Sequence, residues 1–123
     1  MHNEEHLNLV LIMEYFGIIC ECDIQLTEPN ANKKEINATK KRIKNDIKKF
    51  LPAIKKALRN PLYVDKAELF YYMALCYEIL ENKSKVLKCY KEASKRDLKY
   101  IINLASFKRQ NNDKDGALSD GVP

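Results

Sequence analysis

Residues 67–100 read AELFYYMALCYEILENKSKVLKCYKEASKRDLKY. Leu69, Phe70, Met73, Ala74, Cys76, Tyr77 and Leu80 recur every three or four positions, the spacing of one helix over residues 66–81. Asp65-Lys66-Ala67-Glu68 just before it has the spacing of a capping box, with Asp in place of Ser or Thr. Glu81-Asn82-Lys83-Ser84 is then a tight turn, in which Asn82 tolerates a left-handed backbone and Ser84 caps the next helix. Val86, Leu87, Cys89, Tyr90 and Ala93 mark that second helix over 85–96. Asp97 can cap a third over 98–109, bearing Leu98, Ile101, Ile102, Leu104, Ala105 and Phe107.

The first two helices with their short turn make a helical hairpin, and the side chains placed to meet inside it form a pattern. Counted from Ala67, large residues fall at Phe70, Met73, Tyr77 and Tyr90, small ones at Ala74 and Ala93, and an acid at Asp97. Small residues let two helices approach closely while large ones fill the space around the contact. In these positions the stretch resembles a tetratricopeptide (TPR) repeat. It departs from that pattern at Val86, where Ala is preferred, at Leu98, where Pro is frequent, and in a turn without Gly-Asp. The resemblance implies an all-α fold of antiparallel helical hairpins stacked in a TPR-like right-handed array of about five helices. It implies a protein-binding adaptor or scaffold subunit that holds a peptide or helix of another protein. The groove positions of such a repeat are here Glu68, Tyr71, Leu75, Glu78 and Ile79, with Tyr72 beside them. This set is mixed apolar and acidic and lacks the Lys/Asn/Arg clamp with which some TPR modules grip a chaperone's C-terminal carboxylate. No chaperone tail is therefore expected as ligand.

Working outward from the hairpin, residues 4–26 read as a helix apolar nearly all round, which suits a central position or a face covered by a partner. Gly17 in its middle suits a second helix approaching closely there. Residues 27–35 form a polar loop with Pro29. Ile43, Ile47, Phe50, Leu51, Ile54, Ala57 and Leu58 mark a helix over 36–59, and Pro52 inside it predicts a kink or a break near 50–52. Phe50, Ile54 and Ala57 repeat the spacing of a second repeat helix, with Met13, Phe16, Gly17 and Cys20 on its first helix. Residues 1–109 then form one helical domain, and the polar tail 110–123 is expected to be disordered.

Charge is unevenly distributed along this chain of net charge +5. Residues 1–32 carry six acids and no Lys or Arg, whereas residues 33–59 carry eleven Lys or Arg against Glu35 and Asp46. The bland reading of the basic segment is a solvated face balancing the acidic one. The sharper alternative is an anion-binding face of Lys40, Lys41, Arg42, Lys44, Lys48, Lys49, Lys55, Lys56 and Arg59, for nucleic acid or a membrane surface. With only Arg42 and Arg59 available for bidentate phosphate contacts, specific nucleic-acid recognition is not expected. A third alternative is a self-associating structural protein, a homodimer that buries the stripe from Leu7 to Cys20.

Other classes of function find little in the sequence. Catalysis has no Ser-His-Asp set and no glycine-rich phosphate loop to draw on, so no enzyme and no cofactor are expected. Cys20 and Cys22 are a lone C-x-C pair with His2 and His6 nearby, too little for a metal centre, and buried inert thiols are the simpler reading of the four cysteines. Glu4 and Glu5 stand where a signal peptide needs positive charge, and the Leu7–Cys20 run is too short to span a bilayer. The expectation is a cytoplasmic protein with free thiols.

Overall fold

The computed structural model describes residues 8–114. Its elements are α1 (Leu9–Gln25), α2 (Lys33–Leu58), α3 (Lys66–Ile79), α4 (Lys83–Arg96), a 3-10 turn (Leu98–Tyr100) and α5 (Ile101–Lys114). The described residues contain no strand, and the fold is all-α.

Each of the first four helices starts in the same way. An Asn or Asp side chain accepts from the backbone N–H three residues on: Asn8 from Leu11, Asn32 from Glu35, Asp65 from Glu68 and Asn82 from Lys85, at 2.9–3.3 Å. This satisfies one donor left open at each helix start. Asn32 starts α2 within the stretch expected as loop, so the connection is shorter than 27–35. Asn82, not Ser84, caps α4, and the Ser84 hydroxyl donates to Asn82 Oδ1. The left-handed residue of that turn is Glu81, with φ 62°. Asn82 N–H donates to the Tyr77 carbonyl and Glu81 N–H to that of Glu78, the paired bonds of a Schellman ending. At the α2–α3 corner the Lys66 ammonium donates to the carbonyl of Leu58, the last residue of α2, and to that of Asn60, which also accepts from the Tyr63 N–H.

Two further expectations change. Pro52 neither breaks α2 nor separates its last turns, since the helix runs unbroken for 26 residues. Pro52 is exposed, so the carbonyl deprived of its partner one turn back can be hydrated. Residues 110–114, expected in the tail, belong to α5, which continues through Lys114; residues 115–123 lie outside the described residues.

The core is built around α3, which packs against α1, α2 and α4, while α5 packs against α4. Consequently α3 is buried almost all round, from Ala67 to Ile79. Ile12 and Ile19 come to this core from α1, Ile43, Ile47 and Ile54 from α2, and Val86, Cys89 and Tyr90 from α4. Ala74 and Ala93, the small residues of the α3–α4 hairpin, are fully buried. Gly17 differs from them. It is exposed, and a Cβ there would meet nothing within 4 Å among the described residues. Of the two positions expected for α1, the central one is not taken: the helix lies at the edge, with Val10, Met13, Ile18 and Ile24 exposed. Across its inner side the Tyr15 hydroxyl donates to Asp46 on α2 at 2.9 Å.

Candidate functional site

The residues of the expected groove separate into two environments. Leu75 and Ile79 are buried in the core, so the apolar half of that groove is filled by the chain's own helices. Glu68, Tyr71 and Tyr72 are half-buried. Tyr71 stacks on Tyr100 with ring centroids 5.1 Å apart and meets Tyr72 edge-on at the same distance. Tyr90 in turn lies against Phe107 of α5. The aromatic residues here join α3, α4 and the 3-10 turn rather than line an open channel. Glu78 sits among them and accepts from the Tyr90 hydroxyl at 2.8 Å. Burial raises the Glu78 carboxyl above its ordinary range, and the bond from Tyr90 opposes part of that rise. Burial raises Tyr90 as well, helped by the charge of Glu78 beside it.

The lysine-rich helix also divides. In its first half Lys40 pairs with Asp23 of α1, and Lys44 pairs with Glu81 of the α3–α4 turn at 3.2 Å. These two lysines hold the acidic first helix and the turn in place, as a balancing face would. Lys41, Arg42, Lys48, Lys49, Lys55, Lys56 and Arg59 are exposed. Lys48, Lys55 and Arg59 of the second half line an open hollow with Leu51 and Pro52.

Lys55 also belongs to a second, more enclosed pocket of about 200 Å³ between α2, α3 and α4. Phe70, Met73, Tyr77 and Cys89 form its floor, and Lys55, Lys85, Lys88 and Glu92 its rim. The Lys85 ammonium stands 5.5 Å from the centre of the Tyr77 ring, and the Arg96 guanidinium 4.7 Å from that of Phe70. Glu92 is the one acid on the rim. Arg96 and Lys95 bond to its carboxylate and lower its proton affinity, so its charge is largely spent within α4. An apolar floor under a cationic rim suits a large apolar side chain flanked by acids.

From sequence, Phe70 and Tyr77 read as core fillers, and Lys85 and Lys88 are not singled out. A local signal exists, since Lys85, Lys88 and Glu92 are three and four residues apart and share one helix stripe. Lys55, far away in sequence, joins them only through the packing of α2.

The described residues contain no group of three His, Cys, Asp or Glu side chains placed to hold a metal ion, and His2 and His6 lie outside them. Cys20 is exposed and Cys22 buried on α1. Burial pushes the Cys76 thiol up to about 12 and that of Cys89 to about 11. No described helix is long and apolar enough to cross a membrane. No family model matches the chain, and no curated protein and no solved structure is significantly similar to it.

Proposed function

We propose that this chain is a non-catalytic protein-interaction module, a TPR-like adaptor or scaffold subunit whose pocket between α2, α3 and α4 receives an apolar side chain from an acidic segment of a partner protein. The observation that carries this reading is the floor of Phe70, Met73, Tyr77 and Cys89 beneath the ammonium groups of Lys55, Lys85 and Lys88. The α3–α4 hairpin supports the TPR-like part through the two buried alanines and the left-handed turn between its helices. The filled positions of Leu75 and Ile79 favour the lysine-rimmed pocket over the groove as the contact surface. Four unpaired cysteines suit a reducing compartment such as the cytoplasm.

The test uses two short labelled peptides monitored by fluorescence anisotropy. One carries a single Leu among Asp and Glu residues, and the other carries Lys in place of the acids. The acidic peptide is expected to bind in a salt-dependent manner and to lose most of its affinity on the Lys85→Glu/Lys88→Glu variant. Equal binding of both peptides, or undiminished binding by the variant, would overturn the reading. A second reading, a basic module for nucleic acid or an anionic membrane surface, draws on Lys48, Lys55 and Arg59 around Leu51 and Pro52. It predicts binding to a short duplex or to anionic vesicles that falls steeply with salt and survives the α4 substitutions.

A further inference from the structure

The two terminal helices of the array each leave an apolar face uncovered among the described residues. On α1, Val10 is 64% and Ile24 60% exposed. With Met13 and Gly17 they keep a spacing of three, four and seven residues, which places them on one face. On α5 and the turn before it, Leu98 is 75% and Ile102 70% exposed, with Ile101 and Ala105 beside them. Both faces have a small residue near their middle, Gly17 on α1 and Ala105 on α5. Small residues at a crossing allow two helix backbones to come close.

The charges beside the two faces are opposite. Glu14 and Glu21 flank the α1 stripe, whereas Lys108 and Arg109 lie just past the α5 stripe. None of these four has an ion-pair partner among the described residues. The other solvent-side acid of α1, Asp23, already pairs with Lys40 of α2. An α1 face meeting its own copy would set Glu14 and Glu21 against a second pair of acids. An α5 face meeting its own copy would bring Lys108 and Arg109 together. Only α1 against α5 matches apolar with apolar and acid with base.

We propose that copies of this chain associate head to tail, the outer face of α1 in one copy seating on the outer face of α5 in the next. The contact is heterologous, so it leaves one free face at each end and adds further copies until a ring closes. It continues between chains the stacking that joins the helices within one chain, as in repeat arrays generally. Two short helices make a small interface, so association depends on concentration and, through the four charges, on salt.

The test is sedimentation velocity on the full chain over a range of concentrations, with two charge-swapped variants. Wild type is expected to form a ladder of species larger than a dimer, dispersed by high salt. Glu14→Lys/Glu21→Lys alone and Lys108→Glu/Arg109→Glu alone should each weaken association at least about tenfold, because each makes both of its outer faces alike in sign. Mixed in equal amounts, the two variants should assemble again, since every α1–α5 contact between unlike chains is then complementary. Circular dichroism checks that the variants fold, which surface substitutions of this kind leave nearly unaltered. A monomer at every concentration would overturn the proposal. So would a closed dimer sensitive to the α1 substitutions alone, or a mixture no larger than its separate components.

Discussion

The Tyr90 hydroxyl donates to the Glu78 carboxylate at 2.8 Å, a half-buried bond that ties α4 to α3 inside the hairpin. The bond costs the fold part of what it contributes, because the acceptor is a carboxylate withdrawn from water. Burial raises Glu78 above its ordinary value of 4.5 despite that bond. The folded chain therefore holds this proton more tightly than the unfolded chain does.

This fixes the sign of the pH dependence. Between the unfolded and the folded pKa of Glu78 the native state binds more protons, so stability from this group falls as pH rises through that window. Above the folded value the cost of the buried charge is fully present. Glu78→Gln keeps an acceptor for Tyr90 and removes the charge. The variant is expected to melt above wild type at pH 7, with the gap closing as the pH falls toward 4.5. Parallel thermal melts from pH 4 to 7 check this, and a gap that widens toward low pH would refute it.

Glu81 ends α3 with φ 62°, a conformation that costs an ordinary residue about 1 kcal/mol relative to glycine. Its ion pair with Lys44 at 3.2 Å is largely exposed and offsets little of this. Glu81→Gly should stabilise the chain by up to about 1 kcal/mol, read as a higher urea midpoint at unchanged slope. A lower midpoint would mean that the Lys44 contact outweighs the backbone strain.

The four thiols should separate by reactivity. Cys76 and Cys89 are buried with their pKa values pushed to about 12 and about 11, and Cys22 is buried as well. Cys20 is exposed, although burial of part of its surface and the charges of Asp23 and Glu78 raise its pKa too. Titration of the native protein with a disulfide reagent at pH 8 should modify Cys20 first, leaving the other three until denaturant is added. Cys20→Ser should abolish the fast phase.

Much of the local structure was legible in the residue order. Helical periodicity marks every helix from α1 to α5, and Asp65 announces the start of α3, whereas Asp97 caps the 3-10 turn and α5 begins only at Ile101. The ends were harder to read for physical reasons. Asn82 and Ser84 can both cap α4, and only the bonds formed decide between them. A turn with no glycine puts its backbone cost on Glu81, which no local preference marks. Pro52 reads as a breaker, yet on the exposed side of a long helix its missing bond can be replaced by water.

The candidate site was less legible than the helices. Lys85 and Lys88 share a helix stripe that the sequence displays, but their pocket exists only because α2 brings Lys55 over Phe70, Met73 and Tyr77. The expected groove loses two of its residues for a related reason, since Leu75 and Ile79 are buried against helices that the chain itself supplies.

By itself the sequence determined the helical class, the α3–α4 hairpin with its small residues at Ala74 and Ala93, and the acidic and basic halves of the N-terminal region. These depend on spacing, side-chain volume and charge, which are properties of neighbours along the chain. Only the tertiary structure decided which apolar helix lies at the centre. Both α1 and α3 are apolar nearly all round, and their residues alone do not rank them. Contact with α1, α2 and α4 buries α3 on three sides, whereas α1 packs mainly on α2 and α3 and, among the described residues, leaves Val10, Gly17 and Ile24 exposed.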